Sequence, residues 1–442
     1  VIKTLKNAWG VPEIRKKILF TLFIILIFRL GSVITVPFLD TAIISNWMND
    51  MASNGNYLEY LNILSGGALS KATIFSLGVT PYINASIIIQ LLTYALPPLE
   101  RLQQEGEDGR KKLNTITSFV ALGLSAFMGT AYFLQLRNSA KAVTYTEGGQ
   151  GIFAMFVIIL SFMAGSSLVI WLGNRVNEKG IGNGISMILF AGIVSRIPSD
   201  IGVLVSHVID APEKYFITVV VYLLLFVAMV VGIVFMNESE RRIPVSYAKR
   251  VVGRKQYGGQ STHIPIKLCM SGVMPIIFAM SFMSLPSMFS LFWPPVKAIT
   301  ETTTGGQKFW FNFVRFFSTQ SFSYAAIYFV LIILFNYFYV AIQYNPVEMA
   351  NNLRQSNGGI PGIRPGKPTS DYIQRVLSKI SLVGAVFLGI VAVFPIIFLR
   401  VTDLNVSSMG GTSILIVVSV AIETVRTLES QLMMRHHKGF LG

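Results

Sequence analysis

The stretch YLEYLNILSGGALSKATIFSLGVTPYINASIIIQLL, running from Tyr57 to Leu92, decides how the rest of the chain is read. Its first half, Tyr60 to Ile74, is apolar but broken by Ser65, Gly66, Gly67 and Ser70. About fifteen such residues fall short of the roughly 20 that a membrane-spanning helix needs. The second half, Thr73 to Leu96, is long enough to span, yet it carries Pro81, Asn84, Ser86 and Gln90. Polar and helix-perturbing groups are tolerated at membrane depth only where they face protein or a water-filled cavity. The stretch therefore predicts a short re-entrant, plug-like segment leading into a cavity-lining helix.

Composition agrees with a membrane protein. Of 442 residues, 52% are hydrophobic and only 13% charged, against about 25% charged in soluble globular proteins. The first apolar run reads as a full span without a small-residue cleavage site, so no cleavable signal is expected. The single Cys269 lies inside an apolar run, which excludes a disulfide framework within the chain and reads as a small buried hydrophobe.

Ten spans are predicted, at residues 18–37, 74–96, 114–136, 152–172, 183–205, 215–236, 268–291, 323–343, 376–399 and 409–427. An even number puts both termini on one side. Of the 36 Lys and Arg, roughly 26 fall on that side and about 9 on the other, with Arg29 inside a span, so both termini are expected in the cytoplasm. Most of the net charge of +15 then belongs to topology, and a nucleic-acid reading survives only as contact with ribosomal RNA.

Two cytoplasmic loops stand out, Asn237 to Pro265 and Asn345 to Gln374. Loops this long are usually functional or disordered. Gly and Pro punctuate both with basic residues between, which predicts a protruding, partly ordered docking surface. The chain also divides into residues 1–205 and 206–442, each with an interrupted helix second, around Pro81 and Pro275. Matching interruptions in halves of opposite topology predict an inverted repeat with its pathway between them.

Catalytic chemistry is missing from the motifs. Around Gly366-Lys367 a Walker A loop would need Gly where Pro361 stands and Ser or Thr where Pro368 stands. His207, His263, His436 and His437 are not placed mid-span with a carboxylate at ligand spacing, so no metal site and no cofactor are expected. Gly165-Ser166-Ser167 lacks an intramembrane His to act as base and reads as helix packing. Arg29 either turns inward or snorkels outward. Spans this poor in charge offer little to bind a coupling ion. Their cavity-facing Ile, Ser, Thr and Asn instead suit a hydrophobic constriction that gates by dewetting. A channel leads, a secondary transporter for a small solute is the alternative, and an enzyme comes third.

Ser76-Leu77-Gly78-Val79-Thr80-Pro81-Tyr82-Ile83-Asn84-Ala85-Ser86-Ile87-Ile88-Ile89-Gln90 resembles the second-helix signature of the SecY family, the channel-forming subunits of the bacterial Sec protein translocase. Trp171-Leu172-Gly173-Asn174 through Lys179-Gly180-Ile181-Gly182-Asn183-Gly184-Ile185-Ser186 resembles that family's other signature. The similarity extends over essentially the whole chain. It implies an all-α polytopic membrane protein, ten transmembrane helices in two inverted pseudo-repeats of five, with a short plug helix at about Tyr60 to Ala72.

The resemblance also implies roles. Ile83, Ile87, Ile185, Leu189, Ile277 and Ile416 would form the pore ring, and Leu64, Ser65, Gly66, Gly67, Ala68 and Leu69 would belong to the plug. The lateral gate to lipid would lie between spans two and three on one side and seven and eight on the other, with Thr80, Asn84, Cys269 and Ser271. Where the family usually has Asn early in span seven, before Gly-Val-Ile-Pro, this chain reads Leu268-Cys269-Met270-Ser271-Gly272-Val273-Met274-Pro275. Loss of an interhelical hydrogen bond, about 0.6–2 kcal/mol in a membrane, predicts an easier gate. Arg250, Arg254, Lys255 and Arg364 would dock the SecA motor ATPase or a translating ribosome. SecE-type and SecG-type small subunits, unfolded secretory and membrane polypeptides and the lipid bilayer are the other implied partners. The implied location is the bacterial plasma membrane.

Overall fold

The computed structural model describes residues 8–52, 57–247, 250–252, 255–257, 261–290, 305–317, 321–402 and 410–438. Among them, 7 helices are long and apolar enough to cross a membrane, or 8 if one bent pair counts as a single span. The membrane part is all-α.

Helix α1 covers Pro12–Gly31 rather than 18–37, with proline in its first turn. Proline has no N–H to leave unsatisfied there and its φ already suits a helix. Beyond Ser32 the chain is extended, and Thr35 pairs with Thr73 in an isolated antiparallel bridge. Helix α2 (Thr41–Ala52) follows; the Asp40 side chain accepts from Ala42 N–H at 2.9 Å and Ile43 N–H at 3.2 Å.

The expected plug helix at 60–72 is helical only in part. Helix α3 ends at Leu64 (Tyr57–Leu64), and residues 65–79 form consecutive turns. Gly66 and Gly67 take φ of 67° and 85°, conformations that end a helix. The turns are internally bonded: Ser70 N–H donates to Asn62 Oδ1 at 2.9 Å and Gly67 N–H to Asn62 O at 2.8 Å. They also dock outward, with Leu69 O accepting from the Tyr132 hydroxyl at 2.8 Å and Gly78 O from Ser166 Oγ at 3.3 Å. Ser166 is thus a packing residue.

Helix α4 is Thr80–Ala95 and α5 is Pro97–Gln104, bent from it by 101°. Leu96 is extended at the bend, as a residue preceding proline prefers. The second span therefore starts later than the predicted 74–96. Helices α6 (Glu107–Asn138) and α7 (Gly148–Lys179) enclose and overrun the predicted 114–136 and 152–172. The predicted fifth span is two helices, α8 (Gly184–Val194) and α9 (Ile197–Asp210). Helix α9 runs through residue 205, and after Ala211 the chain enters α10 (Pro212–Glu238).

The first long loop is a β-ribbon. Strands β1 (Glu240–Tyr247) and β4 (Ser261–Lys267) pair antiparallel from Glu240↔Lys267 to Ser246↔Ser261. A smaller hairpin joins β2 (Arg250–Val252) to β3 (Lys255–Tyr257).

Helix α11 (Met274–Ser290) begins later than the predicted 268–291. Its start repeats that of α4: Gly78-Val79-Thr80-Pro81 and Gly272-Val273-Met274-Pro275 each place a glycine, φ 52° and 58°, three residues before the proline. Then come α12 (Gly305–Phe316), which the sequence reading did not anticipate, α13 (Phe322–Gln343) and α14 (Pro346–Gln355). The Asn345 side chain caps α14. Strand β5 (Gly358–Gly359) pairs with β1, so the two long loops share one sheet of order β4-β1-β5. Beneath it, Ile243, Val245 and Ile266 are buried with Met270, Val340, Leu353, Ile360 and Leu377. Helices α15 (Lys367–Thr402) and α16 (Gly411–Lys438) complete the chain and extend the predicted 376–399 and 409–427 toward the basic side.

Candidate functional site

A cavity of about 980 Å³ opens on the ribbon side, with α4 and α8 along one flank and α11, α13 and α16 along the other. Its mouth is polar, with Asn177, Asn183, Asn237, Lys267, Glu423 and Arg426 among the lining residues. Deeper in, Ile83, Ile87, Ile185, Leu189 and Ile277 line it.

The second signature block builds one flank. Asn183 Oδ1 accepts from Ile185 N–H at 3.1 Å and Ser186 N–H at 3.3 Å, capping α8. Gly184 N–H donates to Asn177 Oδ1 at 2.7 Å. A methyl group on Gly184 would fall 2.0 Å from Gly173 O, so two glycines let α7 and α8 meet backbone to backbone. That contact fixes the first turn of α8, which carries Ile185 into the cavity, with Leu189 one turn further along the same face.

Five of the six predicted ring residues come together. Ile185, Leu189 and Ile416 are buried in one cluster, with Ile83 and Ile277 packed against it. Ile87 belongs to the adjoining cluster, which Ile83 also touches. Ile416 does not line the cavity; it backs Ile185 and Leu189. Leu64, Phe75 and Val79 from α3 and the turns join the same cluster. Of the predicted plug residues, Leu64, Ser65, Ala68 and Leu69 are buried. Gly66 lies against Gly192 of α8: a methyl group on it would be 2.9 Å from Gly192 O and 2.9 Å from the Nη1 of Arg29. Arg29 has therefore turned inward, and its Nη1 is buried without a hydrogen-bond partner among the described residues.

The predicted gate residues lie on both flanks. Thr80 is buried at the start of α4 and Asn84 is half-buried, its Oδ1 without a partner among the described residues. Across the cavity Cys269 is buried in the cluster that contains Ile87. Ser271 donates from its hydroxyl to Asn336 Oδ1, and Asn336 Nδ2 donates to Ser381 O at 3.0 Å. The polar group of Ser271 is thus engaged on its own flank, by α13 and α15. Sequence reasoning missed Asn336, whose signal was one amide inside the apolar run YFVLIILFNYFYV. Between α4 and α13 the flanks meet through the edge-to-face pair of Tyr94 and Phe338 at 6.1 Å, and between α8 and α16 the Thr424 hydroxyl donates to Met187 Sδ at 3.5 Å.

Among the predicted docking residues, Arg364 is exposed just after β5, and its carbonyl accepts from Thr369 Oγ1 at 2.8 Å. Arg250 and Lys255 belong to the small hairpin, while Arg254 lies outside the described residues. At the root of the ribbon Arg426 Nη2 donates to Glu238 Oε1 at 2.9 Å and to Asn237 O at 2.8 Å. Lys267 beside them is held below the ordinary lysine value, first by burial and then by Arg426, against the opposing pull of Glu238, Glu423 and Glu240.

The SecY family model matches residues 73–425. The chain belongs to the SecY family. It is 38% identical to the protein translocase subunit SecY of Mycobacterium tuberculosis H37Rv over 97% of both chains, and 39% identical to that of Streptomyces coelicolor over 98% of both. The Corynebacterium glutamicum subunit is 37% identical, over 100% of this chain and 99% of that one. In fold it is similar to a protein-conducting channel, with a TM-score of 0.61, 16% identity and 96% of each chain covered. It is also similar to a SecY whose plug domain stabilises the closed state of that channel, with a TM-score of 0.63, 17% identity and 96% of each chain covered. SecY membership makes this chain a non-catalytic, multi-pass subunit of a protein-conducting channel in the bacterial plasma membrane. It moves polypeptides across the bilayer and releases hydrophobic segments sideways into lipid. The solute-transporter alternative is thereby set aside.

Proposed function

We propose that Ile83, Ile87, Ile185, Leu189, Ile277 and Ile416 form the constriction through which an unfolded polypeptide passes, with residues 60–72 as the plug that closes it. The reading is carried by the junction at the cavity floor, where aliphatic side chains of α4, α8, α11 and α16 meet Leu64 of the short segment. Branched aliphatics hold no water strongly, so an idle ring excludes ions by dewetting and still slides over any side chain in transit. The plug domain of the similar SecY supports the assignment of the segment.

The ten-span count adds α1 and the shorter α11 to the helices already long enough to cross. Two inverted halves, residues 1–205 and 206–442, are supported by the matching Gly-Val-x-Pro starts of α4 and α11. The gate opens between the flanks bearing Thr80 and Asn84 and those bearing Cys269 and Ser271. Basic residues place the ribbon and both termini in the cytoplasm. There Arg250, Arg254, Lys255 and Arg364 receive the SecA motor or a ribosome, while a SecE-type subunit clamps the halves and a SecG-type subunit joins them.

The test is disulfide trapping in membranes with partners present. Cysteine replaces Ile83, serine replaces Cys269, and a second cysteine sits in a stalled secretory polypeptide driven by SecA and ATP. A crosslink that needs both ATP and the signal sequence is expected. If an engaged, stalled chain gives none, the ring is wrongly assigned.

A further inference from the structure

A polar seam fastens the root of the ribbon to the last helix. Arg426 of α16 donates from Nη2 to the carbonyl of Asn237 at 2.8 Å and to Glu238 Oε1 at 2.9 Å. Two turns back along α16, Ser419 Oγ accepts from Asn237 Nδ2 at 3.2 Å. Asn237 and Glu238 are the last residues of α10, and only Ser239 separates them from β1. The Asn237 carbonyl lies in the final turn, where no helical N–H follows, and a guanidinium there also meets the negative end of the helix dipole. An exposed ion pair is worth little, and the Glu238 side chain is 57% exposed. The bond to the carbonyl is therefore the stronger half of the clasp.

Arg426, Glu423, Ser419 and Ile416 share one side of α16, within an arc of about 80° at 3.6 residues per turn. Ten residues, roughly 15 Å of helix, separate the clasp from Ile416, which packs with Ile185 and Leu189. Helix α16 is thus a bar with the ribbon at one end and the constriction at the other. The apolar core under the ribbon takes in α13 and α15, but among the described residues none of α16 enters it. The direct tie of α16 to the ribbon root is the clasp.

We propose that Arg426 is a positioning residue for transport: it carries motion of the docked ribbon into α16 and so draws Ile416 away from Ile185 and Leu189. The proposal rests on the reading of the ribbon as a docking site. Lys267 of β4 feels Glu238, Glu423 and Glu240 as well as Arg426, so Glu238 keeps a cation nearby when Arg426 is replaced.

The test measures rate against motor concentration. Proteoliposomes holding the channel with its partner subunits are driven by ATP over a range of SecA concentrations. Arg426→Gln should lower the maximal rate of polypeptide transport roughly tenfold, the worth of one bond to a charged group, and leave the half-maximal SecA concentration unchanged. Both bonds leave from one nitrogen, so a lysine ammonium can make them, and Arg426→Lys should restore most of the rate. Ser419→Ala, which touches no charge, should lower the maximal rate in the same way but less. A full rate in Arg426→Gln would overturn the proposal, as would an equal loss in Arg426→Lys or an unaltered rate in Ser419→Ala. A shift in half-maximal concentration alone would overturn it too, by moving Arg426 to the docking surface. A parent that SecA does not drive would instead remove the docking reading, and this proposal with it.

Discussion

Gly66 and Gly192 touch backbone to backbone, with room for no side chain on Gly66: a methyl group there would sit 2.9 Å from Gly192 O. The short segment is thus seated on α8 by main-chain atoms, and α8 also supplies Ile185 and Leu189. Gly66 has φ 67° and Gly67 has φ 85°, but a methyl group on Gly67 would meet nothing within 4 Å. Gly66→Ala and Gly67→Ala therefore share a left-handed penalty of roughly 1–2 kcal/mol, and only Gly66→Ala adds the collision. Idle channels of Gly66→Ala in planar bilayers should leak ions well above those of Gly67→Ala. Equal conductance would show that this contact does not hold the seal.

The chain Ser271–Asn336–Ser381 ties the approach to α11 to α13 and α15. Asn336→Ala leaves the buried Ser271 hydroxyl unpartnered, and interhelical bonds of this kind contribute about 0.6–2 kcal/mol. For a chain of this length the purified protein should melt about 1–2 °C lower. A double-mutant cycle with Ser271→Ala should return a coupling of that size, and additivity would mean that the bond carries no stability.

Cys269 is buried against the cluster that holds Ile87, where it contributes bulk and no strong hydrogen bond. Cys269→Asn should make opening stricter, so that export of a reporter with a defective signal sequence falls while export with an intact one persists. Unchanged signal dependence would refute the easier gate.

Arg364 is exposed beyond β5, where its charge does not serve the core. Arg364→Glu should abolish motor-driven transport while the channel still accumulates in the membrane. Undiminished transport would remove this residue from the docking surface.

The spans were legible because long apolar runs have few alternatives, and the segment after Tyr57 because it is too short to cross. Their ends were less so. The first span starts at Pro12 among basic residues that a hydropathy window rejects, and the second is delayed to Thr80 by turns whose polar groups bond one another. The clustering of Ile83 with Ile185 and Leu189 was readable from the two signature blocks, since Asn183 and the close approach of Gly184 to Gly173 set the direction of α8. The ribbon was not readable: only Ile243 and Val245 alternate inward on β1, amid charges and a proline. Asn336 was hidden because its partners lie 65 and 45 residues away. Helix α12 had a signal that was overlooked, the spacing of Lys308, Asn312 and Arg315 among aromatics.

The sheet shared by the two long loops has a mechanical consequence. At its root Leu268 N–H donates to Ser239 O at 3.0 Å, Met270 is buried beneath the strands, and α11 starts at Met274. The same core takes in Val340 of α13 and Leu377 of α15. A body gripping the ribbon has hold of a stiff handle on one flank alone. Torque applied there reaches Ile277 with little slack, while α4 and α8 stay behind.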